Sequence, residues 1–194
     1  ILNVSESASR FATSEIDDAG NSYVPDVAFR QAMANAATAP PDLLALTGDI
    51  VHYPTAAAVE YVAAEIAALG VSPMYTCGNH DVHYTDEPVN AQMRLKWLPA
   101  LQPLHNGDPD CAAQEIGGIR FVCIDSAVGQ ISAKQLQFMK QQLEAGRPTV
   151  LLTHWPLSLP TLRDQTIAVM KAPTLLGDPD WSAQSRDDWQ VTAD

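Results

Sequence analysis

Short, continuous apolar runs punctuate the chain, and each ends in glycine or in a polar side chain able to do chemistry. Leu43-Leu44-Ala45-Leu46 leads into Thr47-Gly48-Asp49, and Val71 to Tyr75 leads into Thr76-Cys77-Gly78-Asn79-His80-Asp81. Thr149 to Thr153 leads into His154-Trp155-Pro156. Runs this short, without polar alternation, predict strands buried on both faces. Between the first two, Thr55 stands as the N-cap of a helix in which Val59, Val62, Ile66 and Leu69 recur at helical spacing and Gly70 marks the end. Such a strand–helix–strand unit packs as a right-handed crossover with parallel strands, placing both strand C-termini on one edge of the sheet. Spacing alone therefore makes Asp49 and Asn79 neighbours.

The remaining pattern fills in an α/β domain spanning residues 1–194. Ile1 to Ser5 reads as a first strand delivering Glu6 to a loop, and Ser7 to Tyr23 reads as a long surface loop. Pro25-Asp26 opens a helix through about Thr38, with Val27, Phe29, Met33 and Ala34 as its expected buried positions and Pro40-Pro41 as its stop. A helix is expected around Asn90 to Leu98 within an otherwise irregular stretch reaching Gly107. Gln114 to Ile116, the Gly117-Gly118 turn and Ile119 to Asp125 form a hairpin pattern. Ser132 with Gln135 makes a capping box for a helix bearing Leu136, Phe138, Met139 and Leu143. Gly146-Arg147-Pro148 ends that helix. From Leu157 onward the chain is rich in Pro and Asp and predicts no element except a helix start near Asp187.

Charge narrows the choice of partners. A net charge of −12 without a Lys/Arg cluster repels polyanions, which argues against nucleic acid. Cys77, Cys111 and Cys123 form neither a CxxC nor a Cys/His zinc pattern and read as small buried residues. No stretch of eighteen apolar residues is present, so no membrane-spanning segment is expected. The chain starts inside a strand pattern without an initiator Met, which reads as a processed product or a fragment. Its compartment stays open between the cytoplasm and, with a removed leader, export; oligomeric state is not readable.

Three strand ends carry the candidate chemistry. The Asp49 carboxylate can bridge hard divalent cations, while the Asn79 oxygen and the His154 imidazole complete a coordination set. His80 can pass a proton to a leaving oxygen, and Asp81 is placed to hold its imidazole. Asn, His and Asp are also ordinary turn residues. Together, Gly48-Asp49, Gly78-Asn79-His80-Asp81 and Thr153-His154-Trp155-Pro156 resemble the successive motifs of the calcineurin-like metallophosphoesterases. Phe121 to Ser126 resembles the strand that the bacterial cyclic-nucleotide phosphodiesterase branch places between the second and third motifs.

The resemblance covers residues 1–156 and implies a four-layer α/β/β/α sandwich, incomplete at its C-terminus, with residues 157–194 as an irregular segment. It implies hydrolysis of a phosphoester substrate by a metal-activated water, with Mn, Fe or Zn as one or two bound ions. Asp49, Asn79 and His154 would be metal ligands, and His80, oriented by Asp81, the proton donor. Two departures mark the chain. Where the family has Asp-x-His, this chain has Glu6-Ser7-Ala8, and Ala8 has no donor atom; after His154 there is no Gly-His-x-His. His52 stands where a second Asp is usual and reads as a loop histidine, as do His83 and His105. Either sequence beyond Asp194 completes the site, or the domain is a catalytically impaired relative that binds a ligand or a protein.

Overall fold

The computed structural model describes residues 15–16, 20, 22–144 and 146–181. A two-residue antiparallel pair, β1 (Glu15–Ile16) and β2 (Ser22–Tyr23), lies inside the segment expected to be loop throughout. Helix α1 (Pro25–Thr38) starts at proline, whose fixed φ and missing N–H suit a first turn. Met33 is buried and Phe29 packs against the core, but Val27 is 54% exposed and Ala34 is exposed as well. Phe29 and Met33 lie one helical turn apart on one stripe, whereas Val27 and Ala34 share a different stripe that the core does not cover.

Strand β3 (Leu44–Leu46), helix α2 (Ala56–Ala68) and strand β4 (Pro73–Tyr75) form the expected unit. The strands pair in parallel with Leu44 opposite Pro73 and Leu46 opposite Tyr75, so both end at one rim. Thr55 caps α2 by accepting the Ala58 N–H at 3.2 Å. Val59, Val62 and Ile66 are the helix's buried stripe, each contributing about 1.5–3 kcal/mol by leaving water. β3 departs from the expectation of two buried faces, because Ala45 between its leucines points outward.

A 3-10 turn (His80–Val82) follows, then helix α3 (Ala91–Trp97), capped where Asn90 Oδ1 accepts the Met93 N–H at 2.9 Å. The chain continues as a 3-10 stretch, Leu98–Leu104, that carries Leu101 and Leu104 into the core built by β3, α2 and β4. Pro99 and Pro103 lack the N–H groups that an α-helical continuation would need.

The second sheet has the order β5 (Cys111–Ile116), β6 (Ile119–Ile124), β7 (Thr149–Leu152). β5 and β6 form the expected hairpin, with Gly117 and Gly118 at φ 58° and 80°, the positive values that a tight I′-type turn requires. β6 and β7 run parallel, joined through helix α4 (Ala133–Leu143), which opens with the capping box of Ser132 and Gln135. Leu136, Phe138 and Met139 pack on a second core with Val122, Ile124 and Trp181, while Leu143 is exposed. β7 is only half-buried, and its Val150 faces outward.

Helix α5 (Pro160–Met170) occupies a segment expected to be irregular. None of its residues is fully buried, and its Leu162, Val169 and Met170 are exposed; it runs from a proline to Lys171 in a left-handed cap at φ 60°. The described residues are thus mixed α/β, with the β1–β2 pair, two small sheets that carry parallel strands, and two cores. Among the described residues no helix is long and apolar enough to cross a membrane. The expectations at Ile1 to Ser5, Glu6, Ala8 and Asp187 lie outside the described residues.

Candidate functional site

Two glycines bring the strand ends within reach of one another. A Cβ on Gly48 would stand 2.5 Å from His154 Nδ1 and 2.6 Å from the Gly78 nitrogen, and one on Gly78 would stand 2.1 Å from Asp49 Oδ1. Gly48 also has φ 95°, whereas Gly78 is required for close approach alone. Between them, Asp49 takes a left-handed φ of 54°, an uncommon conformation for a residue with a side chain.

The backbone of this junction hangs on Asp81. Its Oδ2 accepts the N–H of Gly78 at 2.8 Å and of Asp49 at 2.9 Å, and its Oδ1 accepts the N–H of Val51 at 2.9 Å. Asp81 is fully buried, and burial pushes its carboxyl up to about 7, against the opposing pull of the Gly78 and Val51 amides and with a further push from Asp49. This corrects the expected role of Asp81. Both of its oxygens are spent on main-chain amides, so it holds the two loops together and does not hold the His80 imidazole.

Asp49, Asn79 and His154, expected to converge, do so. His154 Nε2 lies 3.0 Å from Asn79 Oδ1 and 3.6 Å from Asp49 Oδ2. Asp49 Oδ1 accepts the His80 main-chain N–H at 2.9 Å, leaving Oδ2 turned toward the ring. On its far side, His154 Nδ1 is 3.0 Å from the Thr47 carbonyl, which can only accept, so the proton sits on Nδ1. In the neutral ring, Nε2 then offers a lone pair toward an amide oxygen and a carboxylate.

As placed, Nε2 faces two acceptor oxygens, Asn79 Oδ1 at 3.0 Å and Asp49 Oδ2 at 3.6 Å. A proton on Nε2 or a shared cation would satisfy all three. Rotating the Asn79 amide would instead aim its N–H at the Nε2 lone pair, satisfying Asn79 and His154 and leaving the Asp49 carboxylate 3.6 Å from the ring nitrogen. The spacing fits a cation: donors about 2.0–2.2 Å from one ion stand roughly 3.0–3.5 Å from each other. A ligand histidine whose other nitrogen donates to a main-chain carbonyl is the usual second shell of such a site. The chain's own contribution is three protein donors, of which two are His, Asp, Glu or Cys. Among the described residues no cluster of three or more of those four types is arranged to hold a metal.

The His154 turn is braced from the second sheet. Thr153 Oγ1 donates to the Trp155 carbonyl at 3.2 Å, so Ser126 Oγ donates to Thr153 at 2.8 Å and accepts the Trp155 N–H at 3.1 Å. Trp155 stands edge-on to His154 with centroids 5.1 Å apart and against Trp181 at 5.2 Å, walling one side of the site.

His80 lies at the rim with Nδ1 enclosed and lacking a hydrogen-bond partner among the described residues. The sequence reading took His52 and His83 as loop histidines. His52 contacts the His80 ring at 4.8 Å between centroids and His83 does so at 5.6 Å. Each stands three positions after a site residue, Asp49 and His80, a signal beside the place of His52 where the family has a second Asp. His105, also read as a polar-loop histidine, packs instead on Cys77 and Tyr75, away from the strand-end cluster. Compared with known proteins, the sequence matches no family model and no curated protein.

Proposed function

We propose that this rim is a divalent-cation site for phosphoester hydrolysis, with Asp49, Asn79 and His154 as protein ligands and His80 as the proton donor. The observation that carries it is His154 Nε2 facing Asn79 Oδ1 at 3.0 Å and Asp49 Oδ2 at 3.6 Å, with the Thr47 carbonyl holding the proton on the opposite nitrogen. When bound, such a cation offsets charge developing on a phosphoryl group and makes water a nucleophile near neutral pH. The protein's part is positioning. Asp81 and the two glycines set Asp49, Ser126 and Thr153 brace the His154 turn, and Trp155 restricts water on one side. Because His80 Nδ1 is enclosed, a proton passed to a leaving oxygen departs from Nε2. A four-layer sandwich belongs to the same proposal, supported by two sheets each built around a crossover helix.

The second reading is a binding module without turnover, favoured by Ala8, which has no donor atom where the family places a histidine. Manganese or zinc titrated into the full chain by calorimetry, together with hydrolysis of an aryl phosphodiester, separates the two. The first reading expects binding and turnover, both weakened about 100-fold or more by Asp49→Ala. Turnover retained in Asp49→Ala contradicts the assignment, and absence of both metal binding and turnover in the unaltered chain supports the second reading.

A further inference from the structure

A ring that delivers a proton has to be aimed, and the carboxylate next to His80 in sequence is engaged with amides. Rings surround it instead. The His52 ring is 4.8 Å from His80 with planes inclined by 31°, and the His83 ring is 5.6 Å away at 53°. Tyr53 closes the figure, 4.2 Å from His52 and 5.5 Å edge-on from His83. The four rings make a closed circuit, two from the loop after β3 and two from the loop after β4. Tyr84 backs Tyr53 at 5.1 Å and Trp97 of α3 backs Tyr84 at 5.9 Å, so the circuit is anchored on a helix.

We propose that His52, Tyr53 and His83 are positioning residues for His80, fixing its imidazole by ring packing in place of a carboxylate hydrogen bond and so presenting Nε2 to the bound phosphoester. The proposal rests on the reading of His80 as proton donor. Among the described residues Nδ1 has no hydrogen-bond partner, so ring contacts are what limit rotation of the imidazole about its own bond, and tilted pairs at these separations are the favourable arrangement for planar rings. Burial, and then the neighbouring His80, hold His83 below the usual imidazole range, so the pair does not repel at neutral pH. A donor held loosely loses rate and leaves substrate affinity intact, since geometry at the reacting atom is what the packing supplies.

The test compares His52→Ala, His52→Phe, His83→Ala and His83→Phe in the full chain, reading the His80 ring resonances by NMR alongside kcat and KM for an aryl phosphodiester. Removing either ring should shift and broaden the His80 signals and lower kcat about tenfold with KM within about twofold; phenylalanine should restore kcat to within about threefold. Unmoved His80 signals in both folded alanine variants overturn the proposal, as does phenylalanine performing no better than alanine. Should an alanine variant fail to fold, asparagine at that position takes its place under the same criteria. If the unaltered chain shows no turnover while its His80 signals still respond to ring removal, the hydrolase reading fails and the ring circuit stands.

Discussion

At the rim of β3 and β4 an acid, an amide and an imidazole meet solvent across a strained backbone, while the flank of β4 holds an equally reactive set, buried Cys77 and Tyr75 with half-buried His105. The Asp49 side chain is 35% exposed, whereas Cys77 is 0% exposed with Sγ 3.9 Å from His105 Nε2. Burial pushes the Cys77 thiol well up, and burial together with the Arg94 guanidinium pushes His105 down to about 4. A thiolate–imidazolium pair needs the opposite order, so this pair is inert. Residue types therefore do not identify the site. What separates the two regions is the access of their reactive groups and, at the rim, two acceptor oxygens facing the His154 ring nitrogen.

The most damaging change to that contrast is at Gly78. Alanine there would put Cβ 2.1 Å from Asp49 Oδ1 and 2.2 Å from the Asp49 nitrogen, a clash with main chain that no side-chain rotation relieves. Gly78→Ala should cost about 4 kcal/mol or more, or prevent folding, and abolish cation binding in whatever folds. Urea denaturation and calorimetric metal titration check it. A variant of unaltered stability would mean that the two strand ends are not in contact.

Next in size is a pair of opposed pH dependences, one from each region. His105 is depressed to about 4, so its contribution is present above about 6.5 and lost as pH falls through 4. Asp81 is raised to about 7, so its contribution is present below about 4 and lost as pH rises through 7. Between about pH 4 and 6.5 the two slopes, each about 1.4 kcal/mol per pH unit, cancel. These two contributions therefore offset one another across that window. Removing one partner exposes the other: His105→Gln should lose about 3 kcal/mol on going from pH 4 to 6.5, and Asp81→Asn should gain about as much. Parallel curves for both variants would show that neither group titrates as described.

Convergence of the rim was legible because each of its members follows a strand whose apolar run is visible, and parallel pairing then dictates where strand ends lie. The ring circuit was not legible. Where a loop side chain points depends on how the loop is tied down, and the tie, Asp81, works through main-chain amides that leave no trace in residue type. His105 was misread for the same reason, since nothing near it in sequence shows that Cys77 and Tyr75 cover it. Helix α5 escaped because hydrophobic periodicity reports burial, and no residue of α5 is fully buried. Val27 erred in the other direction, an apolar residue on the uncovered stripe of α1.

The smallest effect tests the inertness of the β4 flank. Cys77→Ala removes a sulfur that touches His105 and lies near Tyr75, leaving a gap of less than a methylene or two in a packed core, so it should cost about 1 kcal/mol. Because the thiol has no access to substrate and Asp81 keeps its three amide donors, cation affinity and turnover should stay within about twofold of the unaltered chain. The same separation predicts that an alkylating reagent modifies Cys77 only at the rate of opening, far below that of a free thiol. Rapid alkylation of the folded protein, or a loss of turnover much larger than the loss of stability, would join the two regions into one site and remove the contrast between them.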